Sequence, residues 1–237
     1  MRTSASRALS AVAAVLISLG AAGCDVGMPA REPPAGTALE QLESIPVKGR
    51  APRTGYEREE FGDGWLDPDR NGCDARNDVL ARDLVDETFK RGTGNCIVLT
   101  GTLTDPYTGT VIDFVRGDRT SAEVQIDHVV PLALAWQTGA QQLAPKQREA
   151  FANDPLNLLA VDGPTNNAKS DADAATWLPP NRAFRCRYVA LQTAVKAKYG
   201  LWMTPAEHSA IKRILTSSCP DQPVPEAPGG AGPASSG

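Results

Sequence analysis

Asp127 and His128 stand side by side in Ile-Asp-His-Val-Val-Pro-Leu at residues 126–132, and His128 is one of only two histidines in the chain. A histidine with an ordinary pKa near 6.5 accepts a proton at neutral pH. The neighbouring carboxylate is a hard oxygen ligand. Further along come Asn157, in Asn-Asp-Pro-Leu-Asn-Leu-Leu, and Asn166, which opens Asn166-Asn167-Ala168-Lys169-Ser170-Asp171. Phosphodiester cleavage needs a base to deprotonate water and a cation to offset charge on the phosphorus oxygens, both facing one phosphate. His128 suits the base, and Asp127 and Asn166 suit the cation. One carboxylate and one amide make a sparse ligand set, which fits Mg2+ (or Mn2+), an ion that keeps several waters and takes substrate oxygens. Asn167 competes for the ligand position, but the Asn-x-x-Lys spacing prefers Asn166. Lys169, and Arg185 between Arg182 and Arg187, are candidate phosphate contacts.

These residues need elements that bring them together. Residues 124–130 are rich in β-branched side chains and read as a strand stopped by Pro131. Residues 157–161 read as a second strand. Asp162-Gly163-Pro164 turns the chain, and Thr165 is the expected cap of the helix that follows. Adjacent strand residues face opposite ways, so 127 and 128 converge only where the strand ends or bulges. Elsewhere, residues 75–90 have near-helical apolar spacing. Strands at 96–102 and 110–115 flank the turn Asp105-Pro106-Tyr107-Thr108-Gly109. Helices are predicted at 133–136, 145–152, 185–199 and 205–217.

The 237 residues suit one domain with irregular ends. The formal charge of −4 argues against nucleic-acid binding through bulk charge alone. The charge is uneven, however. Residues 24–115 hold 10 basic and 17 acidic side chains, whereas 116–213 hold 12 basic and 9 acidic. At the start, Arg2 and Arg7 precede an apolar run from Ala8 to Gly20, too short for a comfortable membrane span. This reads as a signal peptide over 1–23, cut either as an ordinary secretory peptide or as that of a lipoprotein lipidated on Cys24. With Cys24 set aside, Cys73, Cys96, Cys186 and Cys219 remain. Four cysteines allow three pairings, and sequence proximity favours Cys73–Cys96 and Cys186–Cys219. None of them has the C-x2-C spacing of a zinc site. Residues 24–54 read as a disordered tether, 55–219 as the folded unit and 220–237 as a disordered tail.

The motif segments resemble the HNH endonucleases. More specifically, the chain resembles the exported, actinobacterial proteins of the GmrSD C-terminal type. The likeness spans Cys73-Asp74-Ala75-Arg76, the Asp105–Gly109 turn, Ile126–Leu132, Phe151–Asp154, Asn166–Asp171, Trp177-Leu178-Pro179-Pro180 and Cys186-Arg187-Tyr188. It implies an α+β fold: a ββα-metal (His-Me finger) HNH core with surrounding helices and a small β-hairpin. It also implies His128 as general base, Asp127 and Asn166 as metal ligands, and Asn157 as the residue that holds the site loop and orients the histidine. The expected activity is Mg2+-dependent cleavage of nucleic acid, DNA in the first instance, leaving 5′-phosphates. The expected location is outside the cell or on the membrane through a lipid anchor at Cys24, and no protein partner is evident. The alternative is a non-catalytic lipoprotein of the same fold that binds nucleic acid or the cell envelope.

Overall fold

A computed structural model describes residues 35–117 and 120–226. The expected signal peptide, Cys24 and residues 227–237 of the expected tail lie outside the described residues. Helix α1, Ala38–Glu43, starts at Thr37, whose side chain accepts the Glu40 backbone N–H. Its Ala38, Leu39 and Leu42, with Ile45 beyond, are buried against α6 (Arg185–Lys198) and α7 (Pro205–Ser218). Within the described part of the tether expected over 24–54, residues 35–54, the chain is therefore packed on the fold. A single helical turn carries too little apolar periodicity to stand out in sequence, and its stability comes from the surface it covers. Val224 and the bridge between Thr37 and Pro223 likewise bring the start of the expected tail onto the fold.

Helix α2, Ala75–Asp83, is capped by Asp74, which accepts the Asn77 N–H at 2.8 Å. It stops halfway along the predicted helix of 75–90. Residues Leu84–Phe89 form strand β1, paired antiparallel with β2 (Val98–Thr104), which pairs in turn with β3 (Val111–Val115). Leu84 and Phe89, five residues apart, would face opposite ways on a regular strand; register irregularities between Val85 and Phe89 let both pack on one core, and pairing with β2 decides the outcome. The expected hairpin is therefore two strands of a three-stranded sheet.

Strand β4, Val124–His128, pairs with β5, Leu158–Asp162, in an unbroken antiparallel register from Val124 with Asp162 to His128 with Leu158. The excursion between them carries α3 (Leu132–Gln137) and α4 (Pro145–Ala152). Helix α5, Gly163–Lys169, follows β5 directly. Asp162, not Thr165, caps it, accepting the Thr165 N–H at 2.7 Å. Pro164 takes the first turn, where a missing N–H costs nothing. Gly163 is required there, because a Cβ would lie 2.0 Å from the Ala122 carbonyl oxygen.

Both faces of the β4–β5 ribbon are covered. Val124, Ile126, Leu158 and Ala160 pack with α2 and the three-stranded sheet. Val161 and Leu159 face the larger core with Tyr107, α3, α4 and α6. Disulfides join Cys73 to Cys96 and Cys186 to Cys219. The first ties the α2 entry to the loop before β2, and the second ties α6 to the end of α7. Truncating Leu42, which is 0% exposed, should cost about 2–5 kcal/mol. Urea unfolding of Leu42→Ala checks this, and an unchanged midpoint would place α1 outside the cooperative unit.

Candidate functional site

A cavity of about 440 Å³ opens where β4 ends, lined among others by Asp127, His128, Asn166, Gln125, Ser170 and Arg58. Asp127 and His128 both reach it without a bulge, because the strand finishes at His128 and the chain turns away through Val129 and Val130. Asn166 enters from the first turns of α5. An opening of about 470 Å³ beside α2 is lined mostly by apolar surface and holds none of the candidate site residues.

Asp127 is buried, and both of its carboxylate oxygens are engaged. Lys169 donates to Oδ1 at 2.9 Å, and the Tyr107 hydroxyl donates to Oδ2. Lys169 also donates to the His128 carbonyl at 2.9 Å and is 1% exposed. Burial pushes the Asp127 carboxyl up, opposed by the Lys169 charge, and pushes the Lys169 ammonium down, opposed by Asp127. The phosphate contact expected of Lys169 is thus replaced by a structural one: its ammonium lies beneath the site and faces protein oxygens. Tyr107 arrives through the Asp105–Gly109 turn, where Asp105 accepts the Tyr107 and Thr108 N–H groups and the Asp162 N–H at the end of β5. One buried carboxylate therefore links the turn to the strand that carries the site.

His128 sits 2.8 Å from the Ala152 carbonyl through Nε2. A carbonyl only accepts, so Nε2 carries the proton in the neutral ring and Nδ1 keeps its lone pair. Nδ1 has no partner among the described residues. Trp65 stacks on the ring, with centroids 5.9 Å apart and planes 11° apart. Burial lowers the His128 pKa to about 4, helped by the charges of Arg58 and Lys169 and opposed by the Ala152 hydrogen bond. The ring is neutral at neutral pH.

Asn157 is fully buried and does not line the cavity. Its side-chain oxygen accepts the Val130 N–H at 2.8 Å, and its backbone carbonyl accepts that of Val129 at 2.8 Å. It holds the turn that follows His128 and makes no contact from which it could enter the reaction itself. Asn166 donates through its amide nitrogen to Gln125 at 2.9 Å, and its carbonyl oxygen has no described partner. Among the described residues no group of three or more His, Cys, Asp or Glu side chains could cage an ion. Asp127 and Asn166 are the candidate oxygen ligands that line the cavity, Asp127 with both oxygens already accepting from Tyr107 and Lys169. Arg185 is not brought to the cavity. Its Nε donates to the Pro179 carbonyl at 2.8 Å, because α6 starts on the far side of the Tyr107 cluster.

Sequence reading missed Arg53, Tyr56 and Arg58, which line the cavity from the segment before α2. They lie in a Pro-, Gly- and charge-rich stretch with no periodicity. The signal available was three arginines, 50, 53 and 58, within nine residues. Tyr107 and Trp65 were also missed as partners of Asp127 and His128, since aromatic residues read by default as core.

The model of the GmrSD restriction endonucleases, C-terminal domain, matches residues 74–214. A secreted protein of Arthroderma benhamiae described as uncharacterized is 35% identical over 194 residues, covering 81% of this chain and 90% of that one. No solved structure matches. The chain belongs to the GmrSD C-terminal domain family, which is nuclease-related.

Two outcomes follow from the buried groups. Lys169→Met strands the Asp127 carboxylate and should cost about 3–5 kcal/mol at neutral pH, read by urea unfolding. A loss within about 0.5 kcal/mol, the range of an ordinary surface change, would mean the pair carries little. For His128, the folded pKa of about 4 lies below the ordinary 6.5. Below 6.5 the unfolded chain takes a proton the folded chain refuses. Stability from this group is therefore full above 6.5 and falls by roughly 3 kcal/mol as pH drops to about 4. His128→Gln should remove that component of the acid slope. Identical slopes in both proteins would show that His128 is not held neutral.

Proposed function

We propose that this chain is an exported endonuclease of HNH type, in which β4, β5 and α5 form the ββα unit and His128 is the general base. The observation that carries the reading is the state of His128. Its Nε2–H is committed to the Ala152 carbonyl, so Nδ1 is left as the acceptor of a ring that lines the cavity together with Asp127 and Asn166. Membership of a nuclease-related family supports it. Two disulfides, and the description of the Arthroderma benhamiae relative as secreted, support export; a lipid anchor at Cys24 rests on the sequence reading alone.

His128 accepts a proton from water at Nδ1. The oxygen that loses it forms the new bond to phosphorus, and the P–O3′ bond breaks. The departing 3′-oxygen takes a proton from solvent water, His128 returns its own to solvent, and the products are a 5′-phosphate and a 3′-hydroxyl. Asn157 and the Lys169 contact to the His128 carbonyl keep the ring at this position. Burial favours the neutral, base form of His128 at neutral pH. Asp127 and Asn166 would hold a divalent cation, Mg2+ or Mn2+, which when bound supplies positive charge to the phosphate oxygens and to the departing oxygen. Tyr107 and Lys169 hold the Asp127 carboxylate in place.

Incubating the chain with plasmid DNA and Mg2+ should nick and linearise the plasmid. Chelator should stop this, and His128→Ala should lower the rate by at least about 100-fold. Cleavage that survives in His128→Ala would remove the histidine from its role. Binding without cleavage under Mg2+ or Mn2+ would favour a non-catalytic module.

A further inference from the structure

Charges around the cavity cancel in pairs, with one exception. Asp127 is matched by Lys169 at 2.9 Å, and Asp171 by Arg53 at 3.0 Å. His128 is neutral. Arg58 remains, and it makes no ion pair or side-chain hydrogen bond with the described residues. It is exposed, and it lines both the main cavity and a smaller one of about 180 Å³ on the other side of His128, which Trp65 borders. Arg58 and His128 thus line the same two cavities.

The backbone that carries Arg58 is anchored on both sides. Before it, the Ala51 N–H donates to the Gln137 carbonyl at 2.8 Å, and Trp136 Nε1 donates to Thr54 at 3.3 Å. After it, Arg148 binds the Glu60 carboxylate and carbonyl at 2.6 Å each, and Phe61 is buried at 1% exposure. Arg58 sits in the short 3-10 turn Arg58–Phe61 between these anchors. Its root is thus preorganised while its guanidinium is free. The segment also precedes residues 74–214, the part that the family model matches. The cavity is completed by chain from outside that match.

We propose that Arg58 is the substrate-binding residue of the site, with its guanidinium taking the non-bridging oxygens of a nucleic-acid backbone phosphate beside His128. This rests on the nuclease reading. The fork of N–H donors matches phosphate geometry, and Arg53, whose charge is shared with Asp171, has the lesser part. In a chain of net charge −4, a cation at the cavity with no ion-pair partner supplies local attraction that bulk charge does not.

The test measures binding and turnover separately in the full chain. Binding of a short fluorescein-labelled DNA duplex is followed by anisotropy across a salt series in the His128→Ala background, with and without Arg58→Ala. Arg58→Ala should weaken binding about tenfold at moderate ionic strength and lower the salt slope by about 1, as for one lost phosphate contact. In the protein with His128 intact, KM should rise by a similar factor while kcat changes less, Arg58→Lys should recover part of the loss, and Arg53→Ala should have the smaller effect. Thermal unfolding checks that the variants are folded. Binding and KM unchanged in folded Arg58→Ala, or a larger effect from Arg53→Ala, would overturn the proposal while leaving the nuclease reading in place. Arg58-dependent binding by a protein that never cleaves would keep the proposal and remove the nuclease reading. Absence of any DNA binding would overturn both.

Discussion

The buried ion pair between Lys169 and Asp127 is the contact around which the site is organised. Each partner is expensive to bury alone, and together they are tolerable only with good geometry and further hydrogen bonds. Those bonds come from Tyr107 on one side and the His128 carbonyl on the other. The pair therefore gathers three segments: the Asp105–Gly109 turn, the end of β4 with the backbone of His128, and α5. Shifting α5 by one residue would turn Lys169 away and leave a carboxylate in the core. The position of Asn166, one turn earlier on the same helix face, follows from the same constraint.

A second layer acts on His128 without touching the cavity. Ala152, at the end of α4, supplies a carbonyl that settles which ring nitrogen is protonated. Asn157 holds the turn at Val129 and Val130 and reaches back toward Phe151 beside Ala152. The excursion between β4 and β5, long for a strand connection, therefore has a use at the site. It packs Trp136 of α3 and Phe151 of α4 against Phe61 and returns the Ala152 carbonyl to the histidine. The two disulfides brace the periphery, one at the α2 entry and one between α6 and α7, leaving the cavity itself free of cross-links.

The stretch before α2 has two characters. At its start, α1 is ordinary core, covering α6 and α7 with Leu39, Leu42 and Ile45. From Gly49 to Phe61 it is an irregular strap, held by Trp136, Gln137, Arg148 and Trp202 through backbone oxygens and N–H groups. Irregular backbone against a surface must find such partners. Sequence patterning could not reveal them, because every partner lies more than 80 residues away along the chain.

The sequence by itself determined the local facts. Alternating and β-branched runs placed β4 and β5 within a residue or two, Pro131 and the Asp162-Gly163-Pro164 turn marked where they stop, and apolar spacing outlined α4, α6 and α7. It also put Asp127, His128 and Asn166 forward as one constellation, since residue type and spacing limit which chemistry they can share. Only the tertiary structure decided what each polar group faces. Lys169 went to a buried carboxylate instead of solvent or phosphate, Arg185 to a backbone carbonyl, Leu84–Phe89 to a sheet instead of a helix, and Arg58 to the rim of the cavity. Each outcome depends on a partner distant in sequence. Burial sets the energy of a charge, a hydrogen bond or a strand edge, and burial belongs to the assembled core rather than to any segment of it.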